Sequence, residues 1–442
     1  MHIGSIIGNV QVSMPLSALF SNNLALLLLG GACAFLLSYV LTFAVIAIAH
    51  KLNWYDRSTA ERKREHAKAP VPRLGGIAMF LAFVIASLIF YQFNPELDHK
   101  EFVIYWLLLA SATLTVIVNV YDDIKGMKPL PKFIAQTVAV LLLMGPYIDA
   151  KFHGVLLFGF SNPFGARVDS LALHWYQRPE ITLFIHPAPG QFPAISLLAV
   201  PAVLFTWFWM VGMMNTINWI DGMDGLATGI VGITAFFIAV ISWTLNQHTI
   251  AILAIIFTGA VIGFLPHNWN PAKIIMGDSG SQFLGLTLAT LSIMGGAKIA
   301  LALMVLGIPI LDVAVVMINR VRRGQRPWHY DTTHLHQRLR ATGWTVRQIC
   351  YVIYSLMIFF GVLALVFKHV LKFVGLGLVV ATMAGLIFWI DYSQRHGGGA
   401  IKLGGPDPEP PAPTETPLPE APVKQLDSVE EVYAPLEEGK RV

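Results

Sequence analysis

The stretch Asn215-Thr216-Ile217-Asn218-Trp219-Ile220-Asp221-Gly222-Met223-Asp224-Gly225 separates two apolar runs, 196–214 and 226–243. Each run is close to the roughly 20 residues that an α-helix needs to cross a bilayer core. Lipid offers no partner for backbone polar groups, so runs of this kind fold as helices. Two Asn and two Asp every third residue, set between two such helices, form a polar turn at a membrane boundary.

Working outward, the same alternation repeats along the chain. Eleven spans are expected, at 22–49, 75–93, 102–121, 133–149, 196–214, 226–243, 249–266, 281–297, 299–319, 349–367 and 371–390. With 55% hydrophobic residues, 13% charged residues and 11 Trp among 442, and a mean hydropathy of +0.62, an ordinary soluble domain is excluded. The expected class is an all-α polytopic membrane protein. Cys33 and Cys350 fall within or beside spans, which argues against a disulfide framework or thiolate metal site. No internal repeat is apparent, which weakens a transporter built from duplicated halves.

Orientation follows from Lys and Arg. Segment 51–73 carries Lys51, Arg57, Arg62, Lys63, Arg64, Lys68 and Arg73. Segment 320–347 carries Arg320, Arg322, Arg323, Arg326, Arg338, Arg340 and Arg347. Lys125, Lys128 and Lys132 follow Asp122-Asp123. By the positive-inside rule these loops are cytoplasmic. Counting spans puts the N-terminus outside and the C-terminus inside, and all the acidic motifs on the cytoplasmic side. Residues 1–21 then form an outer segment, and 22–396 the transmembrane domain. Residues 150–195 form an outer loop with room for a small hairpin at 155–160 and 181–185. The Pro- and Glu-rich tail 397–442 lacks the apolar content to fold and is expected to be disordered.

Carboxylates at a membrane boundary carry a desolvation cost and are rarely idle. Adjacent Asp122 and Asp123 cannot share a helix face, so they would do different jobs, one approaching a metal or substrate and the other orienting it. Alternatively they solubilise a helix end. Lys132 either meets a phosphate or snorkels. In Asn215-x-x-Asn218-x-x-Asp221-x-x-Asp224, the first three share one helical side, and their hard oxygen atoms suit Mg²⁺. Met276-Gly277-Asp278-Ser279-Gly280-Ser281 lets backbone approach a ligand closely, and Asp278 is the first choice for a metal ligand; a plain helix cap is the competing reading. Asp331-x-x-His334-x-His336-x-Arg338, preceded by Arg322, Arg323 and Arg326, offers donors for a diphosphate or nucleotide. The basic set Asp56-Arg57, Arg62-Lys63-x-x-His66 and Pro72-Arg73-Leu74-Gly75-Gly76 suits lipid headgroups or a lipid phosphate. A transporter or flippase would instead place carboxylates near mid-span, where Asp312 is the main candidate.

Taken in order, these motifs resemble the polyprenyl-phosphate N-acetylhexosamine-1-phosphate transferase superfamily, glycosyltransferase family 4. The resemblance covers roughly 22–390. It is strongest to the bacterial undecaprenyl-phosphate N-acetylglucosaminyl 1-phosphate transferase branch. It implies a bacterial plasma-membrane enzyme with a cytoplasmic active site, a UDP-N-acetylhexosamine donor, a polyprenyl phosphate acceptor, UMP as product and Mg²⁺ as cofactor, with Mn²⁺ able to substitute. Asp278, Asn215 and Asp221 are the implied metal ligands, and Asp122, Asp123, Asp221 and Asp224 the implied catalytic groups. Lys132, Asn215, Asn218, Arg73, Arg326, His334 and His336 are the implied substrate contacts. A homodimer is compatible with this class, and no nucleic acid is expected as a partner. The phospho-MurNAc-pentapeptide branch differs in its first basic motif and has a His-richer last loop. Pro72-Arg73-Leu74-Gly75-Gly76 and His334-Leu335-His336 favour the N-acetylglucosaminyl branch. Gln337 stands where that branch often has another His, and the tail lies outside the family pattern.

Overall fold

The computed structural model describes residues 22–55, 71–91, 99–145, 155, 199–294, 298–324, 334–367 and 371–395. Apart from one antiparallel backbone bridge between Tyr55 and Pro72, all regular structure among the described residues is helical. Segments 1–21 and 397–442, Asp56-Arg57, Arg62-Lys63, His66, Arg326, Asp331 and the expected outer hairpin lie outside the described residues, except Val155.

The helices in chain order are α1 (Asn23–Leu52), α2 (Gly75–Phe90), α3 (His99–Lys125), α4 (Pro129–Met144), α5 (Ala199–Ile220), α6 (Leu226–Thr244) and α7 (His248–Asn268). They continue with α8 (Gly277–Ile293), α9 (Lys298–Val305), α10 (Gly307–Arg322), α11 (Leu335–Ala341), α12 (Val346–Val366) and α13 (Leu371–Arg395). Each expected span corresponds to a helix or, for 299–319, to the pair α9–α10.

Among the described residues, six helices are long and apolar enough to cross a membrane, and α9–α10 makes a seventh if taken as one span. That pair is bent by 76°. Gly307 and Pro309 follow the break at Leu306, a combination that releases the regular ladder of backbone bonds. Helices α2 and α4 have 16 residues each, about 24 Å at 1.5 Å per residue, short of a full hydrocarbon core.

Helices α1 and α13 are the least enclosed of the candidate spans, with 28% and 22% of their apolar windows buried, against 72% for α6 and α7. Their outward faces are therefore free to meet lipid. Small residues let α1 and α7 approach closely, with Gly259 and Gly263 against the backbone of Gly31 and Phe35, as expected where lipid removes any hydrophobic drive between helices.

At the centre lies α8, packed against α2, α3, α5, α6 and α9. Every residue of α8 is buried except Asp278. A helix that is enclosed on all sides and carries one carboxylate at its open end needs strong local support for that charge.

Candidate active site

That support begins with the Pro72–Gly76 motif, which runs beside the entrance to α8. Ile275 N–H donates to the Pro72 carbonyl at 2.9 Å, Gly75 N–H to the Ile275 carbonyl at 3.1 Å, and Gly76 N–H to the Met276 carbonyl at 2.9 Å. Gly76 is required by this approach, because a side chain there would start 2.2 Å from the Gly280 nitrogen. The pairing delivers Arg73 to the site.

Asp123 caps α8. Its Oδ1 accepts the Asp278 N–H at 2.8 Å and its Oδ2 the Ser279 N–H at 3.0 Å. These are the unpaired donors that every helix start leaves open. Gly277 makes room for the cap, having φ +74° and a Cβ position only 2.6 Å from Asp123 Oδ2. Arg73 Nε also donates to Asp123 Oδ1 at 3.0 Å.

Asp122 faces the other way. Its Oδ1 accepts the Met127 N–H at 2.6 Å, closing the turn between α3 and α4, and its Oδ2 lies 3.0 Å from Lys132 Nζ. The two adjacent carboxylates thus do different jobs.

Asp278 gathers the rest. Lys132 Nζ contacts its Oδ2 at 2.6 Å, and Arg73 Nη2 lies 3.3 Å from its Oδ1. Asn218 Nδ2 donates to Oδ1 at 2.7 Å and to Ser281 Oγ at 2.8 Å. Burial alone would raise the Asp278 carboxyl, yet Lys132 and then Arg73 outweigh it and hold it well below the usual carboxylate range. Three carboxylates share two cations here, leaving net negative charge. The Asp278 side chain is 18% exposed, against 7% for Asp122 and 1% for Asp123. Asp278 is therefore the carboxylate that an incoming ligand meets.

One turn deeper, Asn215 pairs with Gln136. Asp221 follows at the end of α5, its N–H donating to the Ile217 carbonyl at 3.1 Å. His336 Nε2 lies 3.0 Å from the Cβ position of Gly222, so the last motif does reach the 221–225 turn. His334 does not contact the acidic cluster directly. Its Nδ1 donates to Asp312 Oδ2 at 2.9 Å, while Leu335 N–H donates to Asp312 Oδ1 at 2.7 Å. A carboxylate only accepts, so this bond fixes the proton on Nδ1. His334 and His336 stack 5.7 Å apart.

Asp224 turns away from Asp278 and serves the loop before it. Its Oδ2 accepts Asn270 Nδ2 at 3.1 Å and Ala272 N–H at 3.0 Å. Asn268 works alongside it, accepting from Gly225 N–H and Thr228 Oγ1 and donating to the Ile274 carbonyl. Arg347 donates to the Asn270 carbonyl from α12.

Two cavities flank the cluster. An apolar groove of about 410 Å³ lies along α4, α5 and α10, lined by Phe133, Trp207, Val211, Trp219, Ile310 and Val313 among others, and it includes Asn215. Arg320 stacks over Trp219 at 5.7 Å. A more polar cleft of about 280 Å³ is lined by residues 52–55, Arg73, Asp123 and Lys125.

Among the described residues, no three His, Cys, Asp or Glu side chains form a group that could hold a metal by themselves. The donors are oxygen atoms with excess negative charge around Asp278. They fit a hard divalent ion that takes its other ligands from diphosphate oxygens and water.

Gln136, Gln282 and Asp312 also belong to this region without carrying a motif. A lone amide in an apolar helix was the available signal for Gln136 and Gln282, and a mid-span carboxylate the signal for Asp312.

The cluster of carboxylates and cations lies between an apolar groove and a polar cleft, a setting able to receive a ligand with an anionic head and an apolar tail. The family model described as Glycosyl transferase family 4 matches residues 105–296. The chain is 30% identical over 356 residues to a decaprenyl-phosphate N-acetylglucosaminephosphotransferase of Mycobacterium tuberculosis (strain ATCC 25618 / H37Rv), covering 74% of this chain and 79% of that relative. It is 29% identical over 338 residues to a Bacillus subtilis (strain 168) protein named probable undecaprenyl-phosphate N-acetylglucosaminyl 1-phosphate transferase, covering 74% and 81%. A phospho-N-acetylmuramoyl-pentapeptide-transferase of Staphylococcus aureus (strain MSSA476) matches at 29% over 340 residues, covering 75% and 96%. The chain belongs to glycosyl transferase family 4 and is a multi-pass membrane transferase.

Proposed function

We propose that this chain transfers an N-acetylhexosamine 1-phosphate, GlcNAc 1-phosphate first, from a UDP-sugar to undecaprenyl phosphate or a related polyprenyl phosphate. UMP is released, and the product starts a cell-envelope polysaccharide. The observation that carries this reading is Asp278, held between Lys132 and Arg73 near an apolar groove of about 410 Å³. The concentration of Arg and Lys in 51–73 and 320–347 supports a site on the cytoplasmic face of a bacterial plasma membrane, and with eleven spans this puts the N-terminus outside.

In the proposed step, an oxygen of the lipid phosphate attacks the sugar-bearing β-phosphorus. The bond from that phosphorus to the bridging oxygen breaks, and UMP departs with that oxygen. Both reactants are anionic, so the barrier is chiefly electrostatic. Lys132 and Arg73 receive the phosphate oxygens, and Asn218 fixes Asp278 beside them. The isoprenoid chain lies in the groove, with Asn215 near its polar end. Asp122 orients Lys132, and Asp123 holds the start of α8. Arg326, His334 and His336 serve the nucleotide-sugar. Asp278, with Asn215 and Asp221, would hold Mg²⁺ or Mn²⁺, which supplies neutralisation of diphosphate oxygens when bound. Asp224 supports the loop that delivers Asp278.

The Staphylococcus relative keeps one alternative in view, UDP-MurNAc-pentapeptide as donor. The purified protein, given undecaprenyl phosphate, Mg²⁺ and a panel of radiolabelled UDP-sugars including that one, decides between them. A lipid diphosphate-sugar with stoichiometric UMP supports the proposal, and UDP-GlcNAc is the donor expected to react. Transfer from UDP-MurNAc-pentapeptide alone would overturn the sugar assignment.

A further inference from the structure

One helical turn inside the charged cluster, three amide side chains meet. Gln136 on α4 and Asn215 on α5 form a reciprocal pair: Gln136 Nε2 donates to Asn215 Oδ1 at 3.2 Å, and Asn215 Nδ2 donates back to Gln136 Oε1 at 3.0 Å. Gln136 Nε2 also donates to Gln282 Oε1 on α8 at 3.0 Å. Both its hydrogens are thereby used.

The spacing ties this layer to the cluster above it. Gln136 is four residues after Lys132, Asn215 three before Asn218, and Gln282 four after Asp278. Residues three or four apart share a helix face. The amides therefore join the same three helices that carry the Lys132–Asp278–Asn218 contacts, one turn further in.

Helix adhesion alone does not explain them. Gln136 is 3% exposed and Gln282 fully buried, and Gln282 Nε2 has no hydrogen-bond partner among the described residues. An unmet buried donor is unfavourable, whereas apolar side chains pack helices in lipid without that cost. What three amides add is directional register between α4, α5 and α8.

We propose that Gln136, with Asn215 and Gln282, is a positioning layer that sets Lys132 against Asp278 for phosphosugar transfer. Gln136 touches no reacting atom in this scheme. Losing it leaves α4 free to turn or slide, and Lys132 Nζ then loses its placement between Asp122 and Asp278. The inference rests on the transfer reading for its consequence, but not for its geometry.

The test uses the purified full chain carrying Gln136→Met, which keeps the length and helical preference of the side chain and removes its hydrogen bonds. Two readouts are taken. The first is competitive acetylation of lysines followed by mass spectrometry. Lys132 should label faster in the variant, with Lys125 and Lys128 unchanged. The second is turnover, which should fall about 10- to 100-fold through misplacement, with the donor KM within about twofold of wild type. In a Lys132→Met background, Gln136→Met should cause no further loss. Should Gln136→Met fail to fold, Gln282→Met removes the layer's bond to α8 while leaving the Gln136–Asn215 pair, and is read by both assays. Unchanged Lys132 labelling in a folded variant overturns the proposal, as do losses that multiply in the double variant. If the wild-type chain transfers no sugar phosphate, the functional reading falls, while the labelling still decides the positioning role.

Discussion

Asp123 holds Asp278 by its backbone: the two Asp123 oxygens accept the N–H groups of Asp278 and Ser279 at 2.8 and 3.0 Å. The side chain of Asp278 is left to Lys132, Arg73 and Asn218. One carboxylate thus builds the platform and the other meets the ligand, so their substitutions should separate. Asp123→Ala removes the cap and should lower stability by about 1–2 kcal/mol, together with activity. Thermal unfolding in detergent beside a turnover assay reads both.

The pH dependence of that platform has a fixed sign. The Asp278 carboxyl is held below its usual range, so its ion pairs stabilise the fold above the unfolded pKa of about 3.9. That contribution is lost as pH falls through the lower folded value. The stability gap between wild type and Asp278→Asn should be widest near neutral pH and shrink in acid. A gap that widened in acid would contradict the ion-pair geometry.

Gly76→Ala should be severe. Its new methyl would start 2.2 Å from the Gly280 nitrogen, prising the Arg73 segment from α8. Overpacking of this kind costs about 1–3 kcal/mol or more. Gly385→Ala, where nothing lies within 4 Å, is the control expected to be silent. Unfolding midpoints of the two variants test the contrast.

Asp224→Ala should act first on stability. It strips partners from the half-buried Asn270 Nδ2 and from Ala272 N–H, worth about 1–2 kcal/mol in all for donors left partly unmet. Its activity loss should track unfolding and recover on cooling, whereas the loss in Asp278→Asn should not.

Asp312→Ala should free His334 and Leu335, both of which it holds. If the His-containing segment serves the nucleotide-sugar, the donor KM rises roughly tenfold, the size of a lost charged hydrogen bond. The KM for the lipid acceptor should stay near wild type.

Much of this was legible in the residues. Hydropathy located a helix for each expected span, and the acidic and basic motifs led to a real cluster of Arg73, Asp122, Asp123, Lys132, Asn218 and Asp278. Hydropathy could not reveal the 76° bend near Leu306, because both arms are apolar and only Gly307 and Pro309 mark the break. The period of three placed Asn215, Asn218 and Asp221 on one helical side. However, α5 stops at Ile220, and the turn sends Asp224 to the loop at 270–272. Asp312 reads as a mid-span charge until its partner is known, and His334 lies 22 residues downstream. The reciprocal pair of Gln136 and Asn215 spans 79 residues, beyond the reach of any local spacing.

The central claim is that Asp278 and its two cations form the centre of a lipid-linked phosphosugar transfer. The direct measurement is UMP release by the purified chain from UDP-GlcNAc, with and without undecaprenyl phosphate and Mg²⁺, for wild type and Asp278→Asn. Release should require both additions and fall at least about a thousandfold in the variant, the scale of lost electrostatic stabilisation at a reacting centre. Near wild-type release from a folded Asp278→Asn protein would contradict the account.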